Sequence, residues 1–203
     1  RDEVTGEMAV GVQSHWFSVG TAVSWGEAGV GVVATQSFVN KSYGLKGLAL
    51  MKQGKTAPDA LKELLAVDEG REVRQVAMID AHGNVNAYTG KNCIDYASNI
   101  VGKNYSVQSN MMLTNNVCEA MSKAFLASEG KSLAERVLIA LHAAQAAGGD
   151  IRGKQSAAIL VVAGKSTGQP WNERLIDLRV DDNKAPLDEL DRLLRLYRAY
   201  EHM

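Results

Sequence analysis

The sequence has little proline and cysteine, no long apolar run and no excess of charge of one sign. Three prolines among 203 residues, with 46% hydrophobic residues, exclude a collagen-like or disordered chain. Cys93 and Cys118 allow one disulfide at most and show no metal-ligand spacing. No apolar run approaches the roughly eighteen residues of a membrane helix. The net charge of −1 argues against a nucleic-acid or anionic membrane surface. We expect a soluble globular protein, cytoplasmic or exported.

Short β-rich runs alternate with pairs of helical patterns along the chain. Apolar periodicity and turn residues predict strands at 8–14, 21–25, 30–36, 73–80, 85–89, 93–101, 105–111, 157–163 and 175–180. Helices are predicted at 42–53, 58–66, 115–128 and 133–147 and from Pro186 onward, and Ser132-x-x-Glu135 is a capping box.

This order favours an α+β fold, a four-layer α/β/β/α sandwich of two mostly antiparallel sheets. A doubly wound parallel sheet fits less well because single β-α-β crossovers are scarce. Residues 1–165 would form the core domain. Residues 166–203 would add a strand and a helix that pack on the core or on a second subunit.

Residues 2–7 have the composition of a hairpin turn and lead directly into a strand. A hairpin needs a strand on both sides of its turn. We therefore expect the natural protein to continue upstream of Arg1 by one strand of about five or six residues.

Common catalytic motifs are absent or in the wrong context. Gly164-Lys-Ser-Thr-Gly168 matches G-x-S-x-G, but no helix follows the serine, so a surface loop is the better interpretation. The chain contains no H-E-x-x-H motif and no dinucleotide-binding glycine pattern. Of the histidines, His82 and His202 are expected to be solvated and His142 to be packed in a helix. His15 alone is retained as a site candidate.

Two polar clusters are candidate sites. Asp150, Arg152, Lys154, Gln155 and Ser156 precede the predicted buried strand 157–163. They could cap the preceding helix and complement its dipole, or they could bind a carboxylate or polarise a carbonyl.

The second cluster follows the strand 30–36 and consists of Asn40, Lys41, Ser42 and Tyr43, a set with anion-binding potential. Gln36 and Ser37, at the end of that strand, point to the same place. A third group, Asp177, Arg179 and Asp181, alternates along a strand. It is better explained by a salt-bridge ladder or subunit contact than by a metal site.

Several blocks of sequence resemble a bacterial and archaeal family known as domain of unknown function 1028. They are 29–36, NKSYGLKG (40–47), GREVRQV (70–76), Thr89-Gly-x-x-Cys93, NYSVQSN (104–110), AGGDIRGKQSAAILV (147–161) and LIDLRVDD (175–182).

The resemblance implies a member of the N-terminal-nucleophile hydrolase superfamily. In that superfamily a terminal Thr, Ser or Cys attacks an amide, and its own α-amino group serves as the base. Arg1 cannot supply this nucleophile. The resemblance implies a preceding strand of the form T-F-S-I-V-A that would contain it.

Positions on the implied fold suggest roles for individual residues. Gln36 and Asn40 would contact the oxyanion or the amide, and Asp150, Arg152 and Lys154 would position the terminus or a substrate carboxylate. Substrate contacts would come from His15, Ser42, Tyr43, Gln108, Gln155 and Ser156.

The resulting hypothesis is an amidohydrolase for a small amide, acylamino acid or short peptide that uses no cofactor or metal and forms a homo-oligomer. The alternative is a non-catalytic, oligomeric small-molecule-binding protein on the same fold. A peptidoglycan-binding module is a third and weaker alternative.

Overall fold

The structure is a computed structural model that describes residues 1–201. Within these residues, nine strands and six helices follow one another in short runs of each kind. The strands are β1 (Met8–Ser14), β2 (Ser24–Glu27), β3 (Gly31–Ser37), β4 (Arg74–Asp80), β5 (Val85–Thr89), β6 (Ser98–Gly102), β7 (Tyr105–Ser109), β8 (Ser156–Val162) and β9 (Arg174–Val180). The helices are α1 (Gly20–Val23), α2 (Ser42–Lys52), α3 (Ala57–Val67), α4 (Val117–Ala127), α5 (Leu133–Ala146) and α6 (Pro186–Glu201).

The strands form two antiparallel sheets and a separate hairpin. The first sheet has the order β1-β8-β9, the second has the order β2-β3-β4-β5, and β6 pairs with β7. The register places Ser14 opposite Ser156 and Gln36 opposite Gln75. β8 is buried along its whole length, as expected for a central strand covered on both faces.

Three groups of buried side chains define four layers. Apolar side chains of β1 and β8 meet those of β3 and β4 between the two sheets. Helices α5 and α6 cover the outer face of the first sheet, and α2 and α3 cover the outer face of the second. The prediction of an α+β sandwich of antiparallel sheets is confirmed.

Two local predictions are wrong. Residues 21–25 were expected to form one strand, but they divide into α1 and the start of β2. The helical turn places Val19 and Val23 in the core between the sheets, so burial overrides their β propensity. In the predicted strand 93–101, the regular strand β6 begins only at Ser98, and the Cys93 N–H instead closes a turn onto the Gly90 carbonyl.

The C-terminal elements belong to the same layers as the rest of the chain. β9 extends the first sheet by pairing with β8, and the apolar face of α6 packs with α5 and β8. Polar contacts also tie α6 to α5. His142 lies 2.6 Å from Asp191, and Arg198 contacts both Ser132 and Glu135. His202 lies outside the described residues.

The contact between Glu135 and Arg198 makes a prediction about acid stability. Hydrogen bonds from Arg198 and Ser132 lower the pKa of Glu135 to about 2. A carboxyl whose pKa is lowered on folding stabilises the protein above its unfolded pKa, near 4.5, and loses this effect as the pH falls towards 2. Because the side chain is 38% exposed, we expect a contribution below about 1 kcal/mol.

Urea unfolding of wild type and Glu135→Gln at pH 7 and at pH 2.5 tests this expectation. The difference in unfolding free energy should be larger at pH 7 and shrink at pH 2.5. A difference independent of pH would contradict the assignment.

Candidate functional site

A cavity of about 540 Å³ separates β1 from β7. It is lined by every residue of β1 from Ala9 to Ser14 and by every residue of β7. Successive side chains of a strand point to opposite faces, so a cavity that meets all of them lies against the edge of the strand. Within the described residues β1 pairs only with β8, and β7 pairs only with β6. We call this cavity the inter-strand slot.

The two faces of the inter-strand slot are apolar. The second sheet contributes Val32, Ala34, Ala77 and Ile79 on one side. Helices α4 and α5 contribute a second apolar set on the other side: Val117, Met121, Phe125, Val137 and Leu141. The slot therefore lies in the layer of the first sheet, between the second sheet and the outer helices, and offers strand edges on its two remaining sides.

Polar side chains gather where β1, β3 and β7 end. We call this group the polar end of the slot: Ser14, Gln36, Asn110, Asp150 and Arg152. The chain after β7 and the loop before β8 are joined here, because the Ile151 N–H donates to the Met111 carbonyl at 2.9 Å. Main-chain bonds thus hold Asn110 and Asp150 on the same side of the slot.

Asp150 and Arg152 form a two-point ion pair. The Arg152 Nε and Nη2 atoms donate to the two carboxylate oxygens of Asp150 at 3.0 and 2.7 Å. The Asp150 carboxylate, whose side chain is only 6% exposed, also accepts from the main-chain N–H groups of Arg152 and His15. Burial acts to raise the pKa of Asp150, but these donors outweigh it and hold the pKa below its usual value. Asp150 therefore stays ionised and fixes the Arg152 guanidinium through its Nε and Nη2 atoms.

Gln75 links the second sheet to the β6–β7 hairpin. Its side chain is fully buried, and its Oε1 accepts hydrogen bonds from Gln36 Nε2 at 2.7 Å and Asn110 Nδ2 at 3.0 Å. Its Nε2 donates to the Thr89 hydroxyl and to the main-chain carbonyls of Ser98 and Ser109. One buried amide thus orients two amides of the polar end, and each of these keeps a second N–H for a ligand.

The opposite end of the slot lies at Arg1. The main-chain nitrogen of Arg1 donates to the Asn104 carbonyl at 2.8 Å, in the turn between β6 and β7. The Asp2 N–H donates to the Glu7 carbonyl and the Gly6 N–H donates to the Asp2 carbonyl. With Gly6 at φ +76°, this is a hairpin turn closed by a glycine bulge. The turn sets residues 1 and 2 antiparallel to the start of β1.

The structure brings some of the predicted site residues together. Gln36, Asp150 and Arg152 are at the polar end, and Gln108 lines the slot from β7. His15 contributes its main-chain N–H to Asp150. Ser156 lies beside the polar end, where its buried hydroxyl donates to the Trp16 carbonyl and accepts from the Val19 N–H.

Other predicted residues lie outside the lining of the slot. Asn40 accepts from the Ser42 N–H at the start of α2 and so organises that turn. Tyr43 is buried against Asp68, and burial together with this hydrogen bond raises the pKa of its hydroxyl. Lys154 is exposed, while the Gln155 amide donates to Asp182.

Gln75 and Asn110 have site positions that the sequence interpretation did not assign. Both occur in the blocks GREVRQV and NYSVQSN. The available signal for Gln75 was its place in a predicted strand, directly before the apolar run 76–79, because a buried amide needs partners. The link between the two residues depends on two elements far apart in sequence and could not be predicted locally.

The remaining motifs have local structural roles. The Gly164–Gly168 segment is a loop in which the Ser166 hydroxyl donates to Glu173. Asp177 pairs with Arg174 and Arg179, as the salt-bridge interpretation predicts. Among the side chains that the structure describes, no three of His, Cys, Asp or Glu group as metal ligands. Over the same residues, none of the helices has the length and apolar character needed to cross a bilayer.

The buried position of Gln75 makes a prediction about stability. Gln75→Ala would leave two amides and two main-chain carbonyls without their partner. Each buried polar group left without a hydrogen bond lowers the free energy of unfolding by about 1–3 kcal/mol. We expect the free energy of unfolding in urea to fall by about 3 kcal/mol. Gln53→Ala, at an exposed glutamine after α2, is the matched control and should change it by less than about 0.5 kcal/mol. Equal losses of unfolding free energy in the two variants would exclude Gln75 as the link between the second sheet and the β6–β7 hairpin.

Comparison with known proteins places this architecture in a family. Residues 1–190 match the model of a family of unknown function, DUF1028. The fold is similar to the crystal structure of protein SPO2555 from Silicibacter pomeroyi, described as DUF1028. The TM-score is 0.86 and the identity is 30%, over 96% of this chain and 82% of that one. A search of curated proteins finds no match. The chain belongs to the DUF1028 family.

Proposed function

We propose that this protein is an amidohydrolase of the N-terminal-nucleophile type. An extended segment directly preceding Arg1 would lie in the inter-strand slot, and its first residue, Thr, Ser or Cys, would reach the polar end. The substrate would be a small amide, acylamino acid or short peptide. The observation that carries the proposal is the inter-strand slot itself, bounded by two strand edges and ending at a cluster of amides and an ion pair.

The shape and chemistry of the inter-strand slot favour a peptide strand as its occupant. Each strand edge offers main-chain N–H and C=O groups at alternate residues, and another strand satisfies such groups best. A strand lies about 4.8 Å from each neighbour, so a single strand could bond to β1 and β7 at once. Its side chains would meet the apolar faces of the second sheet and of α4 and α5.

The hairpin turn at residues 2–7 supports a direction and a register for this strand. Asp2 lies opposite Glu7, so Arg1 lies opposite Met8 and preceding residues would continue along β1 in antiparallel pairing. In that register Ser14, the last residue of β1, faces the sixth residue before Arg1. Ser14 belongs to the polar end, and Arg152 Nη2 lies 3.4 Å from its hydroxyl. A chain that begins at this sixth residue would present its α-amino group at the polar end.

The proposed reaction proceeds in two stages. The α-amino group, with an ordinary pKa near 8, accepts the proton of the nucleophile's hydroxyl or thiol as that atom attacks the amide carbon. The resulting tetrahedral oxyanion collapses, the carbon–nitrogen bond breaks, and the departing amine receives the proton from the α-ammonium group. Water then hydrolyses the acyl-enzyme by the same proton transfers and releases the carboxylic acid.

Residues of the polar end would supply oxyanion and carboxylate binding. Gln36 and Asn110 each retain one amide N–H after bonding to Gln75, and fixed donors of this kind stabilise an oxyanion by roughly 3 kcal/mol each. Arg152 uses Nε and Nη2 for Asp150, so Nη1 is available for a substrate carboxylate. Asp150 acts as a positioning residue because its oxygens are already engaged by Arg152 and His15.

The proposal predicts the start of the mature protein. Intact mass and terminal sequencing of the protein from its native host should give a chain that begins with Thr, Ser or Cys six residues before Arg1. Replacement of that residue by alanine should abolish hydrolysis of a panel of N-acylamino acids, measured as amine release, because the nucleophile is lost. A mature chain without such a residue would overturn the mechanism and favour the non-catalytic binding protein.

Arg152 provides a second test on the same protein. Arg152→Ala should lower kcat/KM at least tenfold for acylamino acids that carry a carboxylate and leave neutral amides within about twofold. Arg195→Ala, at an exposed arginine of α6, is the matched control and should leave both unchanged. An equal loss for charged and neutral substrates would exclude Arg152 as the carboxylate-binding group.

A further inference from the structure

Four large apolar side chains surround the opening of the inter-strand slot beside its polar end. Trp16 and Phe38 are 62% and 54% exposed, and Val39 and Ile94 are also exposed, although all four line the cavity. We call these four residues the apolar rim. Exposed apolar residues that converge on one opening differ from the scattered exposed apolar residues of an ordinary surface.

Hydrogen bonds to the main chain hold the two loops that carry Trp16 and Phe38. The Ser156 hydroxyl, which is fully buried, donates to the Trp16 carbonyl. The Phe38 carbonyl accepts from Arg74 Nη1 at 2.6 Å, and the Phe38 N–H donates to the Val73 carbonyl. The backbone is therefore held in place while both rings remain exposed, which lowers the entropy lost when a ligand covers them.

Backbone strain is concentrated at the same opening. Four residues other than glycine have positive φ in the described chain, and three of them are Ser18, Ser37 and Met111. Ser18 ends the Trp16 loop, and Ser37 directly precedes Phe38. Met111 follows Asn110, and its carbonyl accepts from the Ile151 N–H in the loop that carries Asp150. Such conformations cost about 1 kcal/mol or more each and cluster at ligand-binding sites.

From these observations we infer that the substrate carries an apolar group as well as an amide and a carboxylate. The amide carbonyl would lie at Gln36 and Asn110, the carboxylate at Arg152, and the apolar group on the apolar rim. An acylamino acid with a long aliphatic or aromatic acyl chain satisfies all three. A small polar amide would leave the apolar rim exposed to water. This inference rests on the proposed function and specifies its substrate class.

Equilibrium binding to the mature protein tests the inference by calorimetry. The probes are N-octanoylglycine, N-acetylglycine and octanamide, and chromatography verifies that they stay intact; if they are hydrolysed, kcat/KM replaces the dissociation constant. N-octanoylglycine should bind at least tenfold more tightly than N-acetylglycine, because each methylene that the apolar rim buries adds to the favourable free energy of binding. The double variant Trp16→Ala/Phe38→Ala should reduce this ratio below threefold. Trp171→Ala, at a tryptophan that is 76% exposed and lies outside the cavity, should leave it unchanged.

The outcomes separate this inference from the proposed function. Selective binding of N-octanoylglycine without hydrolysis would support the apolar rim as a binding surface and overturn only the enzymatic mechanism. Equal affinity, or equal kcat/KM, for the octanoyl and acetyl compounds would overturn the inference alone. Sedimentation velocity tests the remaining alternative, which is that a second copy of the chain covers the apolar rim. If the double variant converts a dimer into a monomer and leaves the binding ratio unchanged, the apolar rim is a contact with a second copy of the chain, and the inference fails.

Discussion

The requirement that main-chain hydrogen-bonding groups find partners shapes this molecule around β1 and β7. β1 is bonded on one side to β8, and β7 is bonded on one side to β6, so both strands direct their other edges into the inter-strand slot. Apolar side chains of the second sheet and of the outer helices line the slot between these edges. The location of the candidate site follows, because polar groups gather where three strands end.

Gln75 connects the stability of the sandwich to the chemistry of its polar end. The same side chain bonds across the second sheet, holds the β6–β7 hairpin and orients the amides of Gln36 and Asn110. A buried amide with five partners has one satisfactory orientation, so it fixes its neighbours as well. The polar end is therefore rigid for the same reason that the hairpin is attached.

Local signals in the sequence predicted the elements that depend on local physics. The capping box at Ser132 and Glu135 begins α5 as expected, because both partners lie within one helical turn. The helical turn α1 could not be predicted, since it forms to bury Val19 and Val23 against a distant sheet. The inter-strand slot and the Gln75 contacts depend on how sheets and hairpin approach one another. The polar composition of two segments predicted Gln36, Asp150 and Arg152 as site candidates. Asn40 and Tyr43 share the sequence neighbourhood of Gln36 but stabilise α2 and its surroundings.

The glycine bulge at Gly6 would determine which way each side chain of the proposed strand before Arg1 points. Side chains alternate with a period of two, so the length of the segment from Asp2 to Glu7 decides which residues point to the second sheet and which to the helices. Insertion or deletion of one residue there would exchange the two sets along the whole strand. At its exposed positions Val4 and Thr5 this short turn would therefore tolerate changes of residue type far better than changes of length, which is unusual for a surface loop.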